Sequence, residues 1–180
     1  VKAYDSKINF PHINLKNLFF ESRDLSLIED REQYDFIYSI DVLEHIPQNL
    51  KIIEKLYNAL KPNGYFYLHM PSKFEKWILP NKLFLNFRKT LRDNHIGEHY
   101  SLNELEQILS GMNFNIVYAC YTFGKIGKLA QEIDILFSKN NFLKFIRLLL
   151  MPFLKIMGII EVMITQTTGC NYLIICKKYR

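Results

Sequence analysis

Apolar residues along the chain alternate in some stretches and recur at helical spacing in others, and the changes of rhythm mark the elements. Residues 34–40 (YDFIYSI) are β-branched and aromatic, with Asp30, Arg31, Glu32 and Gln33 before them and Asp41 after. That pattern predicts a buried strand leaving the sheet at a carboxylate. Residues 49–60 set Leu50, Ile53, Leu56, Tyr57 and Leu60 on one helical face and Lys51, Glu54, Lys55 and Asn58 on the other. Lys61-Pro62-Asn63-Gly64 is predicted to stop that helix in a turn, and residues 65–70 (YFYLHM) to form the next strand, ending at Pro71-Ser72. Upstream, Lys2-Ala3-Tyr4-Asp5 reads as the end of a strand, and residues 15–20 (LKNLFF) as a short strand running into Glu21-Ser22-Arg23-Asp24.

Downstream, residues 73–100 are irregular, basic and aromatic. Ser101 with Glu104 is a capping box opening a helix that Gly111 is expected to close. Residues 114–122 (FNIVYACYT) alternate as a strand. Residues 128–138 and 142–163 are apolar at helical spacing, with Pro152 expected to break the second, and Gly169 precedes a last strand at 171–176 (NYLIIC). Strand, helix and strand at these separations predict a parallel sheet with right-handed crossovers. The fold class is therefore α/β, with the last two strands an antiparallel pair at one edge. One domain is expected over 1–180, with 73–100 as a lid region and 125–168 as a helical cap before the last strand.

Composition narrows the function classes. The 180 residues are 49% hydrophobic and 23% charged, with 7 Gly and 6 Pro, which excludes disordered and collagen-like chains. Cys120, Cys170 and Cys176 have no metal-ligand spacing, and their odd number argues against a disulfide framework. A reducing, cytoplasmic setting is the expectation. The net charge of +5 suits an anionic small molecule or a membrane surface. It lacks the clustered Lys/Arg that a nucleic-acid partner would call for. The polar start, Val1-Lys2-Ala3-Tyr4-Asp5, shows no signal peptide and no initiator Met, the pattern of a cut end.

YDFIYSIDVLEHI (34–46) followed by LYNALKPNGYFYLHMPS (56–72) resembles class I S-adenosylmethionine-dependent methyltransferases, above all the type 11/12, ubiquinone O-methyltransferase-like group. Asn63 stands where that group has the first Gly of its turn, a change the left-handed tolerance of Asn permits. Glu98-His99-Tyr100-Ser101 with Leu105 and Leu109 resembles the group's next segment, and LIICKK its last strand. The resemblance implies a Rossmann-like, mostly parallel sheet with an antiparallel last strand. It also shows a departure: the Gly-rich loop and first strand expected before Asp24 have no counterpart, so the sheet is expected to be N-terminally incomplete and to expose two long apolar edges.

The resemblance also implies roles. S-adenosyl-L-methionine would be the methyl donor, S-adenosyl-L-homocysteine the product, and a small molecule the acceptor, through an oxygen in the first instance and a nitrogen or carbon otherwise. A quinone-like, lipid-linked or saccharide acceptor would suit the apolar helical cap. Asp5 would accept from the ribose hydroxyls, Asp24 from the adenine amino group, and the Leu25 N–H would face the ring. A solvated terminal Asp and a helix cap are the competing roles for Asp5 and Asp24. Ile40 and Asp41 would border the methionine end, with His45 facing the reaction cleft. His69 and His99 are the candidate general bases, because imidazole titrates near neutral pH. Asp41, Glu44 and His45 sit at the spacing of an E-x-x-E-H cation site, but a structural role for Glu44 and His45 is favoured and no metal is expected. A catalytically inactive interaction module and a metal-assisted RNA methyltransferase are the rival classes. Lys82, Arg88, Lys89 and Arg92, interleaved with Phe84, Phe87 and Leu91, form either a solvated lid face or a site for an anionic group on the acceptor. The 142–164 stretch carries Lys144, Arg147, Lys155 and Glu161, so it is expected to cap the acceptor side and to touch membranes at most peripherally.

Overall fold

The computed structural model describes residues 2–5, 19–22, 24–74 and 76–179. Two sheets form. β1 (Lys2–Asp5) and β2 (Phe19–Ser22) make a parallel pair. β3 (Tyr34–Ile40), β4 (Leu60–Pro71), β5 (Phe114–Thr122) and β6 (Asn171–Lys178) make a second sheet in the order β3-β4-β6-β5. β3 and β4 run parallel, and β6 is antiparallel to both β4 and β5, as the strand pattern requires. The 15–18 part of the expected LKNLFF strand lies outside the described residues.

The helices are α1 (Asn49–Ala59), α2 (Leu85–Asn94), α3 (Leu102–Gly111), α4 (Lys125–Leu136) and α5 (Asn141–Met163). α1 buries Ile53 and Leu56 of the expected face, and Ile52 and Ala59 beside them. One face of β4 and β6 places Phe66, Leu68, Met70, Tyr172 and Ile174 in a core shared with α1 and with Leu105 and Leu109 of α3. Each large side chain so buried stabilises the fold by about 1.5–3 kcal/mol. Ser101 and Glu104 form the expected reciprocal capping box at the start of α3.

Four local expectations need correction. Lys61-Pro62-Asn63-Gly64 is not a turn outside the sheet: β4 begins at Leu60, and the register against β3 slips between Tyr34 and Phe36. Asn63 takes the left-handed conformation (φ 65°) inside this irregularity, and a Cβ on Gly64 would meet the Lys61 and Asp35 carbonyl oxygens at 2.9 and 3.2 Å. α3 runs through Gly111, and the left-handed residue that follows it is Asn113 (φ 64°). Pro152 does not break α5, which is continuous across it. Proline removes one N–H bond to the carbonyl of Leu148; both residues are exposed, so water can take up the freed oxygen.

The fourth correction concerns β3, which is an edge strand and not a buried one. Phe36, Tyr38 and Ile40 are each about half exposed. Their side of the strand faces β1 across a slot of about 510 Å³ lined by Ala3, Tyr4, Leu25, Ile28 and β3 itself. Tyr4 and Tyr34 hydroxyls meet across it at 2.6 Å, and Tyr34 donates to Asp30 at 2.9 Å. Burial and the nearby Asp30 carboxylate hold the Tyr34 phenol protonated far above its ordinary range. Among the described residues, β1 and β3 thus present two strand edges to one slot.

Candidate active site

Parallel strands leave their C-terminal ends at one rim of a sheet, and here that rim gathers the polar chemistry. Ile40 ends β3, and Asp41 turns the chain with φ 51°. The Asp41 N–H donates to the His69 carbonyl at 3.0 Å, stitching the two strand ends together. Asp41 Oδ1 then lies 2.8 Å from His69 Nδ1, and Thr122 Oγ1 lies 3.0 Å from His69 Nε2. In the neutral tautomer whose Nδ1–H donates to Asp41, Nε2 is the acceptor and the Thr122 hydroxyl the donor. His69 is 12% exposed and Asp41 52%, so the imidazole is shielded while its carboxylate reaches solvent. Chemically, this is a held imidazole with one basic nitrogen turned toward β5.

None of these three residues lines a cavity itself, but their chain neighbours line two. The slot already described lies on the β3 side and includes Leu25, Ile40 and Val42. A second cavity of about 760 Å³ opens beyond Phe123, whose ring is 6.5 Å from that of His69. Its walls are mostly apolar (Phe74, Ile78, Tyr121, Leu129, Met157), with Lys76, Lys125 and Lys128 among them.

α4 and α5 build the far wall of this second cavity through two buried carboxylates. Glu132 accepts from the Ile78 and Leu79 N–H groups at 2.9 and 2.8 Å, tying α4 to the 73–80 loop. Glu161 of α5 accepts from Gly127 N–H at 3.0 Å and also from Gly124 N–H, satisfying donors at the start of α4. A Cβ on Gly124 would collide with that carboxylate and with Gln166, so the close approach needs glycine there. Lys128 is buried, lies 4.2 Å from the Trp77 ring centroid and donates to Gln131 at 3.1 Å. Sequence reasoning missed Thr122, Glu132 and Glu161. Gly124 and Gly127 flanking the start of a helix were the one local trace of Glu161.

The other expected site residues fall in separate places. Leu25 lines the slot, and Asp24 caps a single 3-10 turn (Leu25–Leu27), its Oδ1 accepting from Ser26 N–H at 2.8 Å. That bond holds the Asp24 carboxyl below its ordinary pKa. Asp5 ends β1, and its side chain lies outside the described residues. The set Asp41, Glu44 and His45 is not brought together as the spacing suggested, because Asp41 turns to His69. Glu44 and His45 instead meet His95, with one ligand atom from each within 4.8 Å of the others. His45 Nδ1 pairs with the Asn94 carbonyl at 3.0 Å, and His99 stacks on His95 at 5.5 Å. Two imidazoles and a carboxylate are donors that a borderline divalent cation accepts. Burial raises the Glu44 carboxyl above its ordinary value, and its Oε2 has no hydrogen-bond partner. The two candidate bases therefore belong to different groups, His69 beside Asp41 and Thr122, and His99 beside His45 and His95.

A family profile described as "Methyltransferase domain" matches residues 2–119. The chain belongs to that family. It is similar to the ubiquinone biosynthesis O-methyltransferase of Marinobacter nauticus, 26% identical over 120 residues, which cover 59% of this chain and 48% of the relative. It thus spans about half the length of that curated relative. Among solved structures it is similar to the putative sarcosine dimethylglycine methyltransferase of Galdieria sulphuraria (TM-score 0.54, 17% identity, 91% of this chain and 60% of that one). It is also similar to the phosphoethanolamine N-methyltransferase 2 of Haemonchus contortus, solved with phosphomonomethylethanolamine and S-adenosylhomocysteine (TM-score 0.58, 15% identity, 91% and 38%). At these identities the structures speak for the fold, a Rossmann-like methyltransferase sheet. The strand order and rim described above are this family member's version of it.

Proposed function

We propose that this methyltransferase-family chain carries the donor and acceptor sides of an S-adenosyl-L-methionine-dependent methyl transfer to an oxygen of an apolar small molecule. The observation that carries the reading is the Asp41–His69–Thr122 group, whose chain neighbours Ile40 and Val42 line the slot and Tyr121 and Phe123 the second cavity. The donor lies toward the slot, against Leu25 and Ile40, with Asp41 just beyond the lining and Asp5 and Asp24 toward its ribose and adenine. The slot's facing strand edges suit a further parallel strand of the whole protein, whose turn would complete the donor cradle. The acceptor lies in the second cavity, where apolar walls hold its body and the lysines favour an anionic substituent. The 73–100 segment and the α4–α5 pair enclose it.

S-adenosylmethionine supplies a methyl group on a positively charged sulfur. Transfer is an in-line displacement, so positioning of the acceptor oxygen does most of what the protein must do. His69 Nε2 takes the acceptor's proton as the oxygen–carbon bond forms and the sulfur–carbon bond breaks. Asp41 keeps the imidazole in the tautomer that presents Nε2 and stabilises the imidazolium. His45 and His99 take no part in this step.

The test is transfer of a radiolabelled methyl group from S-adenosylmethionine to an alkyl catechol by the whole protein. His69→Asn should slow transfer by roughly 10²- to 10⁴-fold, the usual contribution of a general base, with S-adenosylhomocysteine affinity unchanged. Equal rates in the two proteins would remove His69 from the mechanism.

A further inference from the structure

α5 is about 34 Å long at the usual rise per residue, yet it buries only Met157 and Glu161. Phe142, Phe145, Leu149, Phe153, Ile156 and Ile160 recur every three or four residues and are between 43% and 73% exposed. They form one continuous stripe on the side of the helix away from α4. Apolar stripes of this extent are seldom left to water on a monomer.

We propose that α5 lies flat on an anionic membrane surface, with this stripe among the acyl chains and its lysines at the headgroups. No helix among the described residues is long and apolar enough to cross a membrane, so the stripe fits a surface contact and not a span. Charge selects the kind of surface. Lys144 and Lys155 are exposed, about three turns apart along one line of the helix, and the exposed Leu148 and Ile159 extend the apolar face from the stripe toward them. Arg147 is held by Asp134 of α4, with Nη2 to Oδ2 at 2.8 Å, and the helix's one acid, Glu161, is turned inward. The outer face is therefore apolar and cationic with no acid on it. Lysines at such an edge extend to the lipid phosphates while their stems stay with the apolar side chains. Lys139 donates to the Leu83 carbonyl at 2.7 Å, so the basic 82–92 run lies beside the start of α5 and adds to the same charge.

A second copy of the chain fits this face less well. An antiparallel pair centred on Leu149 and Leu150 would set Lys144 of one copy against Lys155 of the other, a like-charge contact. The inner side of α5 adds a consequence for the reaction. Met157 lines the acceptor cavity, so the bilayer contact holds that cavity against the lipid from which an amphipathic acceptor would come. This last point rests on the proposed methyl transfer; the membrane contact does not.

The experiment is co-sedimentation of the chain with vesicles of phosphatidylcholine alone and with equal parts phosphatidylglycerol. Binding is expected to the anionic vesicles, weakening but persisting as salt rises from about 0.05 to about 0.5 M. Phe145→Glu with Phe153→Glu should lower it roughly tenfold or more, because two stripe positions then carry charge at the interface. Lys144→Glu with Lys155→Glu should remove the preference for phosphatidylglycerol. Far-UV circular dichroism checks that both double variants fold, as changes at exposed positions allow. Absence of binding to either vesicle, or binding unaffected by the Phe145 and Phe153 changes, would overturn the proposal. So would a dimer in sedimentation equilibrium that those changes dissolve while vesicles are ignored.

Discussion

Glu161→Ala should loosen the two cap helices from each other. The carboxylate accepts from the N–H groups of Gly124 and Gly127, and it is the buried polar anchor of α5. Hydrogen bonds to a charged acceptor contribute about 1.5–3 kcal/mol each, and both donors would be left in a buried space. Deletion should therefore cost about 3 kcal/mol or more, a large share of the roughly 5–15 kcal/mol by which a domain is stable. Glu161→Gln keeps one accepting oxygen and loses the charge, so its cost should be about half. Urea unfolding followed by Trp77 fluorescence is a suitable assay, since Trp77 packs on Phe84 and Lys128 beside α4. A loss below about 0.5 kcal/mol in the alanine variant, or equal losses in the two, would refute the capping role.

Glu44→Gln should stabilise the chain, and more so at about pH 8 than at about pH 4. Burial raises the folded-state pKa of Glu44, so this carboxyl costs stability as pH rises from its unfolded value through its folded one, and the amide escapes that cost. Thermal midpoints at the two pH values check it; an equal shift at both would contradict the sign. Ser101→Ala should cost about 1 kcal/mol by opening the capping box of α3. Denaturant midpoints decide, and a neutral outcome would show that tertiary packing alone holds the first turn.

Local chemistry was legible in the sequence wherever it was decided locally. The capping box, the parallel β3–α1–β4 unit and the antiparallel β5–β6 pair follow from side-chain periodicity and turn residues that neighbours cannot easily override. The misread features depend on what lies across space. β3 is apolar enough for a buried strand, but its free edge faces a slot, which no pattern within residues 34–40 could reveal. Pro152 was read as a break or a kink, but α5 runs through it, and the Leu148 carbonyl left without its N–H sits at an exposed position where water can donate to it. At the site, Asp41 and His69 were singled out separately, each at a strand end, and their pairing comes from β3 and β4 lying side by side. His95 and Glu161 were missed because they join partners from distant segments, Glu44 and His45 in one case and the glycines of α4 in the other. Asp41, spaced to ligate with Glu44, was captured by the closer imidazole of His69.

If donor and acceptor occupy the two cavities lined by the neighbours of Asp41 and Thr122, filling each cavity should impair one ligand and spare the other. The direct measurement is S-adenosylhomocysteine affinity by calorimetry alongside the KM for an alkyl catechol, in Ile40→Trp and in Leu129→Trp. Ile40 lines the slot and Leu129 the apolar cavity, so bulk at each reaches only its own side. Ile40→Trp should weaken S-adenosylhomocysteine roughly tenfold or more with the catechol KM held, and Leu129→Trp should do the reverse. Loss of S-adenosylhomocysteine binding in Leu129→Trp, with Ile40→Trp indistinguishable from the unaltered protein, would contradict the arrangement.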